Sequence, residues 1–377
     1  MNIKEISEIR RRIRQDRTNI TKLYGCYVNC QREIVSCFSK SVGTMPENEA
    51  SEYLGKLKKV LSGGIGKNML DLAFQTAQVA NSPEHKFLMD LRNSRLEDPA
   101  LIQQLYEKII ASVEPQDGYL ILLGCDSYDV PFKSGEEDSG NSDETFTYIL
   151  CAICPVKLTK VVLQYDPSEK LFCSGGADNI AAAPDCGFMF PAFDNRTTNI
   201  YNVLFYTKSN KDAHQELVDQ LFHISAPMPA AQQKKSFEAL LTRSLDKECN
   251  LEVIQSVHDE ICQSIELHKE SRIPDPLLIS KEQVRDVLVG CGVPEKNVAK
   301  FSVDFDEEFG LEAQLHPKNI INSSKFEITT PDVVIKVAPD KTDLVETRVI
   351  DGVPYILICA DENVEVNGVS IHITKDE

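Results

Sequence analysis

The stretch TFTYILCAICPV, residues 145–156, is a mostly apolar run rich in aromatic and β-branched residues. Such runs are typical of strands buried on both faces of a sheet. The segments GYLILLGCDSYDV, residues 118–130, and NVLFYTKS, residues 202–209, have the same character. With KVVLQYD, residues 160–166, as a further strand, the connections of this region look too short for repeated βαβ crossovers. The sequence therefore predicts a central, mainly antiparallel sheet with helices.

The residues before this sheet read as mainly helical. Isoleucines recur at helical spacing at the very start of the chain, at Ile3, Ile6, Ile9 and Ile13. This spacing predicts an amphipathic helix with its arginines on the outer face. The segment TKLYGCYVNCQREIVSCF, residues 21–38, has the alternation and polar turn of a small hairpin.

A second change of pattern follows the prolines Pro274 and Pro276, which mark the clearest linker in the chain. Beyond it, the sequence Ser-Lys-Glu-Gln at 280–283 is a capping box that predicts a helix ending at Gly290. The last fifty residues are rich in strand-forming residues, and Asp351-Gly352 between two apolar segments predicts a tight hairpin.

These patterns together predict an α+β fold in three parts. The first is a helix-rich N-terminal region with a small hairpin, residues 1–115. The second is a central α+β domain with a mainly antiparallel sheet, ending in helices, residues 116–271. The third is a C-terminal module of helices and β-hairpins, residues 272–377.

Composition limits the functional classes. The chain holds 40 basic and 58 acidic residues, a formal charge of −18, which disfavours broad binding to nucleic acid or anionic membranes. No apolar run approaches the ~20 residues of a transmembrane helix, and the N-terminal segment lacks the apolar core of a secretory signal. Twelve cysteines without an export signal then predict reduced thiols and a cytoplasmic protein that binds no membrane.

Cys151 and Cys154 form a C-x-x-C motif within the central apolar run. Residues three apart in a strand point to opposite faces of the sheet, so these thiols are predicted neither to pair nor to share a metal ion. A redox motif needs its first cysteine at a helix N-terminus, and a tetrahedral zinc site needs a second pair of ligands. The sequence therefore predicts structural thiols, no metal and no cofactor.

Other familiar motifs are either incomplete or absent. The segment LSGGIGKN, residues 61–68, has leucine and asparagine where a phosphate-binding loop needs glycine and serine or threonine. The chain contains no H-E-x-x-H zinc motif and no G-x-S-x-G nucleophile elbow. No catalytic residue is therefore assigned from a motif.

Two loops at strand ends hold the candidate site residues Asp126, Asp129, Asp194 and Arg196. Carboxylates on loops held by a rigid sheet can bind Mg²⁺ or Mn²⁺ through oxygen ligands, and a nearby arginine can hold an anion. The alternative is structural: the aspartates cap turns and Arg196 pairs with one of their side chains. The sequence leaves open whether the two loops, 126–131 and 193–199, meet in one pocket.

The first 22 residues are basic, with seven basic residues against three acidic ones, which leaves −22 for the remainder. The candidate partner-binding residues are Arg10, Arg11, Arg12, Arg14 and Arg17. They could contact an acidic protein surface or RNA, or they could pair with the acidic body of the same chain. Nucleic acid is not expected as a partner except through this helix.

Five blocks, YGCYVN, YDVP, YILCAICPVKL, FMFPAFDNR and DVVIKVAPDKTDLVETRVIDG, carry a resemblance to a known family. They resemble a family of cytosolic proteins from Gram-positive bacteria that is defined as a domain of unknown function. The resemblance covers nearly the whole chain, from the basic helix to the last hairpin. It implies a bacterial, cytosolic protein and supplies no catalytic residue.

Three functions are compatible with these patterns. The first is an interaction or regulatory protein that uses its basic N-terminal helix to contact a protein partner. The second is a metal-dependent phosphoester hydrolase with Asp126, Asp129 and Asp194 as ligands and Arg196 at the anion. The third is an RNA- or ribosome-associated factor that binds through the same basic helix.

Overall fold

The computed structural model describes residues 1–114, 118–131, 145–158, 163–168, 170–174, 179–271, 273, 276–360, 364–366 and 368–371. The chain divides into two compact units, Met1–Ala230 and Ala231–Ile273 with Leu277–Glu377. Their helices and antiparallel strands confirm the predicted α+β class. Pro274 of the predicted linker lies outside the described residues. None of the helices that the structure describes combines the length and the apolar character needed to cross a bilayer.

The first unit is built on one large antiparallel sheet. Its strands in chain order are β1 (Lys22–Val28), β2 (Ile34–Ser41), β3 (Met69–Ala73), β4 (Tyr119–Asp129), β5 (Thr145–Leu158), β6 (Leu163–Asp166), β7 (Leu171–Ser174), β8 (Asn179–Ala181), β9 (Cys186–Phe190), β10 (Ala192–Asp194), β11 (Thr197–Asn199) and β12 (Asn202–Thr207). The main sheet has the order β2-β1-β4-β5-β9-β12-β3, with β8 paired to the end of β5. The pairs β6–β7 and β10–β11 form separate hairpins.

Helices cover both faces of this sheet. They are α1 (Ile3–Arg12), α2 (Glu47–Lys59), α3 (Thr76–Asn81), α4 (Pro83–Asn93), α5 (Pro99–Ser112) and α6 (Gln215–Phe222). Leucines and isoleucines of α4, α5 and α6 pack on one face of the sheet with Ile121 and Phe188. Those of α1 and α2 pack on the other face with Leu122 and Leu150. The unit therefore has three layers with two apolar cores, because side chains of each central strand alternate between the two faces.

Strand β5 shows this alternation at its two cysteines. Cys151 lies in the core beneath α4, α5 and α6, whereas Cys154 lies in the core beneath α1 and α2. The structure thus confirms that the two thiols face away from each other. Burial raises the pKa of Cys154 to about 12 and raises the pKa of Cys151 well above its ordinary value, so both remain neutral thiols at physiological pH.

The N-terminal residues belong to the same sheet as the central strands. The predicted hairpin is present as β1 and β2, and β1 pairs with β4 from Leu23 to Val28. Strand β3 forms the opposite edge by pairing with β12. The first compact unit therefore combines the helix-rich region and most of the central region that the sequence patterns separate at residue 115. Backbone hydrogen bonds between strands about a hundred residues apart join them.

The second unit has a helical core with short strand pairs. Its helices are α7 (Ala230–Leu245), α8 (Leu251–Ser271), α9 (Lys281–Gly290), α10 (Glu295–Phe309) and α11 (Pro317–Ile320). Its strands are β13 (Ile279–Ser280), β14 (Gln314–Leu315), β15 (Phe326–Thr329), β16 (Val334–Val337), β17 (Val345–Ile350), β18 (Val353–Ile358), β19 (Val364–Val366) and β20 (Val369–Ile371). They pair consecutively as four two-stranded antiparallel sheets. Phe301 of α10 is fully buried among residues of α7, α8 and α9.

At two positions in this unit, the structure agrees with the local sequence signal. Ser280 caps α9 in a capping box with Gln283, and the helix ends at Gly290. Asp351 and Gly352 form the turn between β17 and β18 with positive φ angles of 52° and 80°. A two-residue turn of this handedness matches the twist of the flanking strands, which explains the Asp-Gly sequence.

Candidate functional site

Helix α1 is fixed to the sheet by its first residues and its apolar side. The side chain of Asn2 accepts hydrogen bonds from the backbone of Lys4 and Glu5, and the Glu5 carboxylate accepts one from Asn2, which completes a capping box. The side chains of Ile6 and Ile9 are buried in the core beneath α1 and α2. This attachment determines which polar residues of α1 face the sheet ends and which face solvent.

Glu8 on α1 and Arg196 join the two candidate loops. Nη1 of Arg196 donates to both carboxylate oxygens of Glu8 at 2.8 Å, while Nη2 donates to the carbonyl oxygen of Pro131 at 2.8 Å. The hydroxyl of Tyr128 donates to Glu8 Oε1 at 2.6 Å. The loops 126–131 and 193–199 therefore meet, and helix α1 supplies the acid that connects them.

The backbone places Arg196 for this contact. Asn195 and Arg196 form the turn between β10 and β11, with φ angles of 50° and 60°. Asparagine enters this left-handed conformation readily, whereas arginine does so rarely. The Glu8 and Pro131 contacts hold the Arg196 side chain after this turn.

Asp126 lies beneath this network rather than within it. Its carboxylate accepts hydrogen bonds from the Tyr148 hydroxyl at 2.7 Å, from the Asn19 backbone N–H at 2.7 Å and from the Ser127 N–H at 2.9 Å. Burial raises the pKa of Asp126, and these hydrogen bonds oppose the rise without cancelling it. Through the Asn19 hydrogen bond, Asp126 connects the segment that follows α1 with the end of β4.

The remaining two candidate carboxylates have other partners. The Asp194 side chain accepts a hydrogen bond from Asn199 Nδ2 at 2.6 Å and pairs with the α-amino group of Met1, which also lies 3.2 Å from Asp71. Asp129 accepts from the Thr145 hydroxyl at 2.8 Å at the end of the β4–β5 pair.

A cavity of about 320 Å³ adjoins Asp126 at this end of the sheet. Lys22, Arg95 and Glu97 also line it, whereas Asp129, Asp194 and Arg196 do not. Over the part of the chain that the structure describes, no group of three or more His, Cys, Asp or Glu side chains is arranged to hold a metal ion. The four predicted site residues are therefore brought to one end of the sheet without lining one cavity.

Arg12 differs from the other arginines of the N-terminal segment. Its guanidinium carbon lies 4.2 Å from the centre of the Tyr128 ring, and its Nη2 donates to the Ser127 carbonyl oxygen at 3.2 Å. A guanidinium stacked on an aromatic face in this way is stabilised by the ring quadrupole. Arg12 thus belongs to the internal contacts of the first unit.

The other four arginines form what we call the arginine surface: Arg10, Arg11, Arg14 and Arg17. Arg14 and Arg17 both approach the carboxylate of Asp16, in contacts whose side chains are 57–61% exposed. Among the described residues, no carboxylate of the folded body forms an ion pair with any of the four. Within the described ranges, the four side chains thus have no ion pair with the rest of the first unit apart from the local contacts to Asp16.

Sequence patterns missed Glu8, the residue that connects Arg196 with Tyr128 of the loop 126–131. Glu8 lies 188 positions before Arg196 and carries no motif. The isoleucine spacing does place Glu8 on α1, but the partner becomes visible only when α1 is seen packed beside the β10–β11 turn.

Comparison with known proteins finds one family model that covers nearly the whole chain. A family model described as Domain of unknown function (DUF4317) matches residues 1–369. No curated protein and no solved structure matches the chain. The match extends from helix α1 to the last hairpin and so includes both compact units.

Proposed function

The chain belongs to the family of Domain of unknown function (DUF4317), whose description assigns no activity, and we propose that it is an interaction protein. Its contact element is the arginine surface at the end of α1. Its partner is a protein that presents an acidic segment.

The single observation that carries this proposal is that, among the described residues, no carboxylate of the folded body forms an ion pair with Arg10, Arg11, Arg14 or Arg17. An acidic protein that holds 58 acidic residues has many carboxylates with which to neutralise four arginines. The ion pair between Arg196 and Glu8 shows that the fold neutralises an arginine with a carboxylate elsewhere. Arginine charges that one exposed aspartate shares and that the folded body does not neutralise are available to a partner and steer its approach.

The chemistry of arginine favours an acidic protein segment. A guanidinium presents a planar fork of donors that matches a carboxylate in a bidentate contact. The arginines also lie in and just beyond the last turn of α1, where their charge is favourable to the helix dipole. The apolar side of α1 is packed in the core, while Arg10 and Arg11 in its last turn have no ion pair among the described residues.

RNA is the first alternative for the same surface. Phosphate groups also pair with arginine, but the chain beyond its first 22 residues is strongly negative and repels a polyanion. A long RNA would approach that acidic body along its length, whereas a short acidic segment would not. We therefore favour the protein partner and let RNA be an outcome of the test.

A metal-dependent phosphoester hydrolase is the second alternative. It requires Asp126, Asp129 and Asp194 to converge on one divalent ion. Each of these carboxylates already accepts a hydrogen bond from a protein group, and Asp126 is buried among three donors. A melting temperature that rises with Mn²⁺ in the wild type but not in D129N would support this alternative.

The proposed function can be tested with two probes of equal charge. Fluorescence anisotropy would compare a labelled twelve-residue glutamate-rich peptide with a labelled single-stranded RNA. The variant R11E/R14E/R17E reverses three charges of the arginine surface. The control K235E/K247E/K296E makes the same charge change at three exposed lysines of the second unit.

We expect peptide binding to weaken about tenfold or more in the arginine variant, since each exposed ion pair contributes up to ~1 kcal/mol. The lysine control should change it about twofold at most, because those lysines lie outside the proposed contact. Tighter binding of the RNA than of the peptide would replace the protein partner by RNA. Equal effects of the two triple variants would remove the arginine surface as the contact element.

A further inference from the structure

A larger cavity lies at the opposite end of the sheet. Its volume is about 730 Å³, within the range of pockets that bind small molecules. It is bordered by the end of α5, the start of α6 and residues of β4, β5 and β9. None of the residues discussed above as candidate site residues lines it, so it is independent of the proposed function.

Tyr119, the first residue of β4, lines this cavity and is 3% exposed. Its hydroxyl has no hydrogen-bond partner among the residues that the structure describes. Burial raises the pKa of Tyr119 to about 12, so the group stays a neutral hydroxyl. A buried polar group without a partner is costly, which makes a phenol at this position difficult to explain by folding alone.

His214 lines the same cavity at the N-terminus of α6. Asp212 holds it in place: the His214 backbone N–H donates to Asp212 Oδ1 at 2.7 Å, and Nδ1 lies 3.7 Å from Asp212 Oδ2. The imidazole also packs edge-on against Phe205, with 6.3 Å between ring centres. Its Nε2 is buried and, within the described ranges, has no hydrogen-bond partner.

The charge of the lining selects a class of ligand. The charged side chains of the lining are four carboxylates, Glu114, Asp185, Asp212 and Glu216, and one amine, Lys157. Glu114 pairs with Arg32 and Asp185 pairs with Lys208. Asp212 and Glu216 are therefore the lining carboxylates that attract a cation and repel an anion. Ile153, Pro155 and Leu217 add an apolar part to the wall.

We propose that this cavity binds a small aliphatic amine. The ammonium hydrogens donate to Tyr119 Oη and to His214 Nε2, the two lining atoms that have no hydrogen-bond partner among the described residues. Asp212, beside His214, supplies the opposing charge, and the methylene chain lies along the apolar part of the wall. The carboxylates at exposed positions around the cavity raise the local concentration of the cation.

The test uses the full chain and 1,4-diaminobutane, measured by isothermal titration calorimetry. Two compounds with the same four-carbon spacing serve as ligand controls: 1,4-butanediol, which is neutral, and succinate, which is anionic. Three variants are compared: Y119F, D212N and, as a matched control on α6 outside the cavity lining, D219N.

We expect the diamine to bind with a Kd at or below ~1 mM, and the diol and succinate not to bind. Y119F should lose about tenfold in affinity, the value of one hydrogen bond, while the melting temperature of the free protein stays equal or rises. D212N should weaken binding several-fold, and D219N should leave it unchanged.

Three results would overturn the proposal. The diamine could fail to bind at ~10 mM, well above the expected range. Succinate or the diol could bind as tightly as the diamine, which would exclude a cation site. Y119F and D212N could both retain wild-type affinity, which would place the bound diamine somewhere else on the protein.

Discussion

Replacing Glu8 by glutamine tests the contact that holds α1 and the two loops together. The substitution keeps the shape of the side chain but removes its charge and one of its acceptor oxygens. Glu8 accepts two hydrogen bonds from Arg196 and one from Tyr128. Glutamine can retain the Tyr128 bond through its one oxygen, but it leaves the Arg196 guanidinium without a counterion.

The burial of this pair sets the size of the effect. The side chains of Arg196 and Glu8 are 24% and 25% exposed. Fully exposed ion pairs contribute about 0–1 kcal/mol, whereas removal of one partner of a fully buried pair costs about 3–5 kcal/mol. A pair that is three-quarters buried should lie between, so we expect E8Q to lower the free energy of unfolding of the first unit by ~2 kcal/mol.

Urea unfolding followed by far-ultraviolet circular dichroism would measure this loss. Because the chain has two compact units, hydrogen exchange at β4 should identify the transition that belongs to the first. The control is D16N, which removes the carboxylate that pairs with Arg14 at 57% exposure on both sides. We expect D16N to change stability by less than ~0.5 kcal/mol.

A double-mutant cycle with R196Q completes the experiment. If the pair is coupled as the geometry indicates, the double variant should be more stable than the sum of the two single losses predicts, by ~1 kcal/mol or more. An E8Q loss no larger than that of D16N, or additive single losses, would refute the reasoning that Glu8 connects the two loops.

Three further predictions concern the first unit. In the native protein, iodoacetamide should modify the exposed thiol of Cys30 and leave Cys151 and Cys154 unmodified until urea unfolds the unit; fast native labelling of either, read by mass spectrometry, would contradict their burial. The pKa of Asp126 is raised in the folded state, so the contribution of Asp126 to the free energy of unfolding falls as the pH rises from 3.8 through the folded pKa. The stability advantage of the wild type over D126N should therefore be larger below pH 3.8 than at neutral pH. An advantage that grows with pH would contradict this. A Cβ atom at Gly187 would lie 2.3 Å from the Cys151 carbonyl oxygen, so G187A should lower stability by ~3 kcal/mol or more, and a wild-type unfolding midpoint would disprove the tight packing of β5 and β9.

Local sequence signals predicted much of the secondary structure for a physical reason. The apolar runs identify β4 and β5 because strands buried on both faces exclude polar residues. The isoleucine spacing identifies α1, and the Ser280 box identifies the start of α9, because each depends on residues within one or two turns of the chain. The opposite orientation of Cys151 and Cys154 followed from the two-residue period of a strand alone.

Contacts between distant residues were not predictable in the same way. Nothing near β3 indicates that it pairs with β12, and nothing near Glu8 indicates Arg196. The cavity lined by Tyr119 and His214 also joins distant parts of the chain, since its lining residues come from 112–114, 118–119, the segment from Ile153 to Lys157, 185–186 and the segment from Asp212 to Leu217. One tyrosine and one histidine carry no spacing pattern, and only the folded chain shows that Tyr119 Oη and His214 Nε2 have no hydrogen-bond partner among the described residues.

The order of strands in the main sheet has a consequence for how the protein is made. Both edge strands, β2 and β3, come from the first 73 residues, while the strands between them include residues as late as 207. During synthesis at about 5–20 residues per second, β3 would leave the ribosome roughly ten seconds before its partner β12. We expect the nascent chain to expose apolar strand surface throughout that interval and to depend on protection from aggregation until β12 emerges.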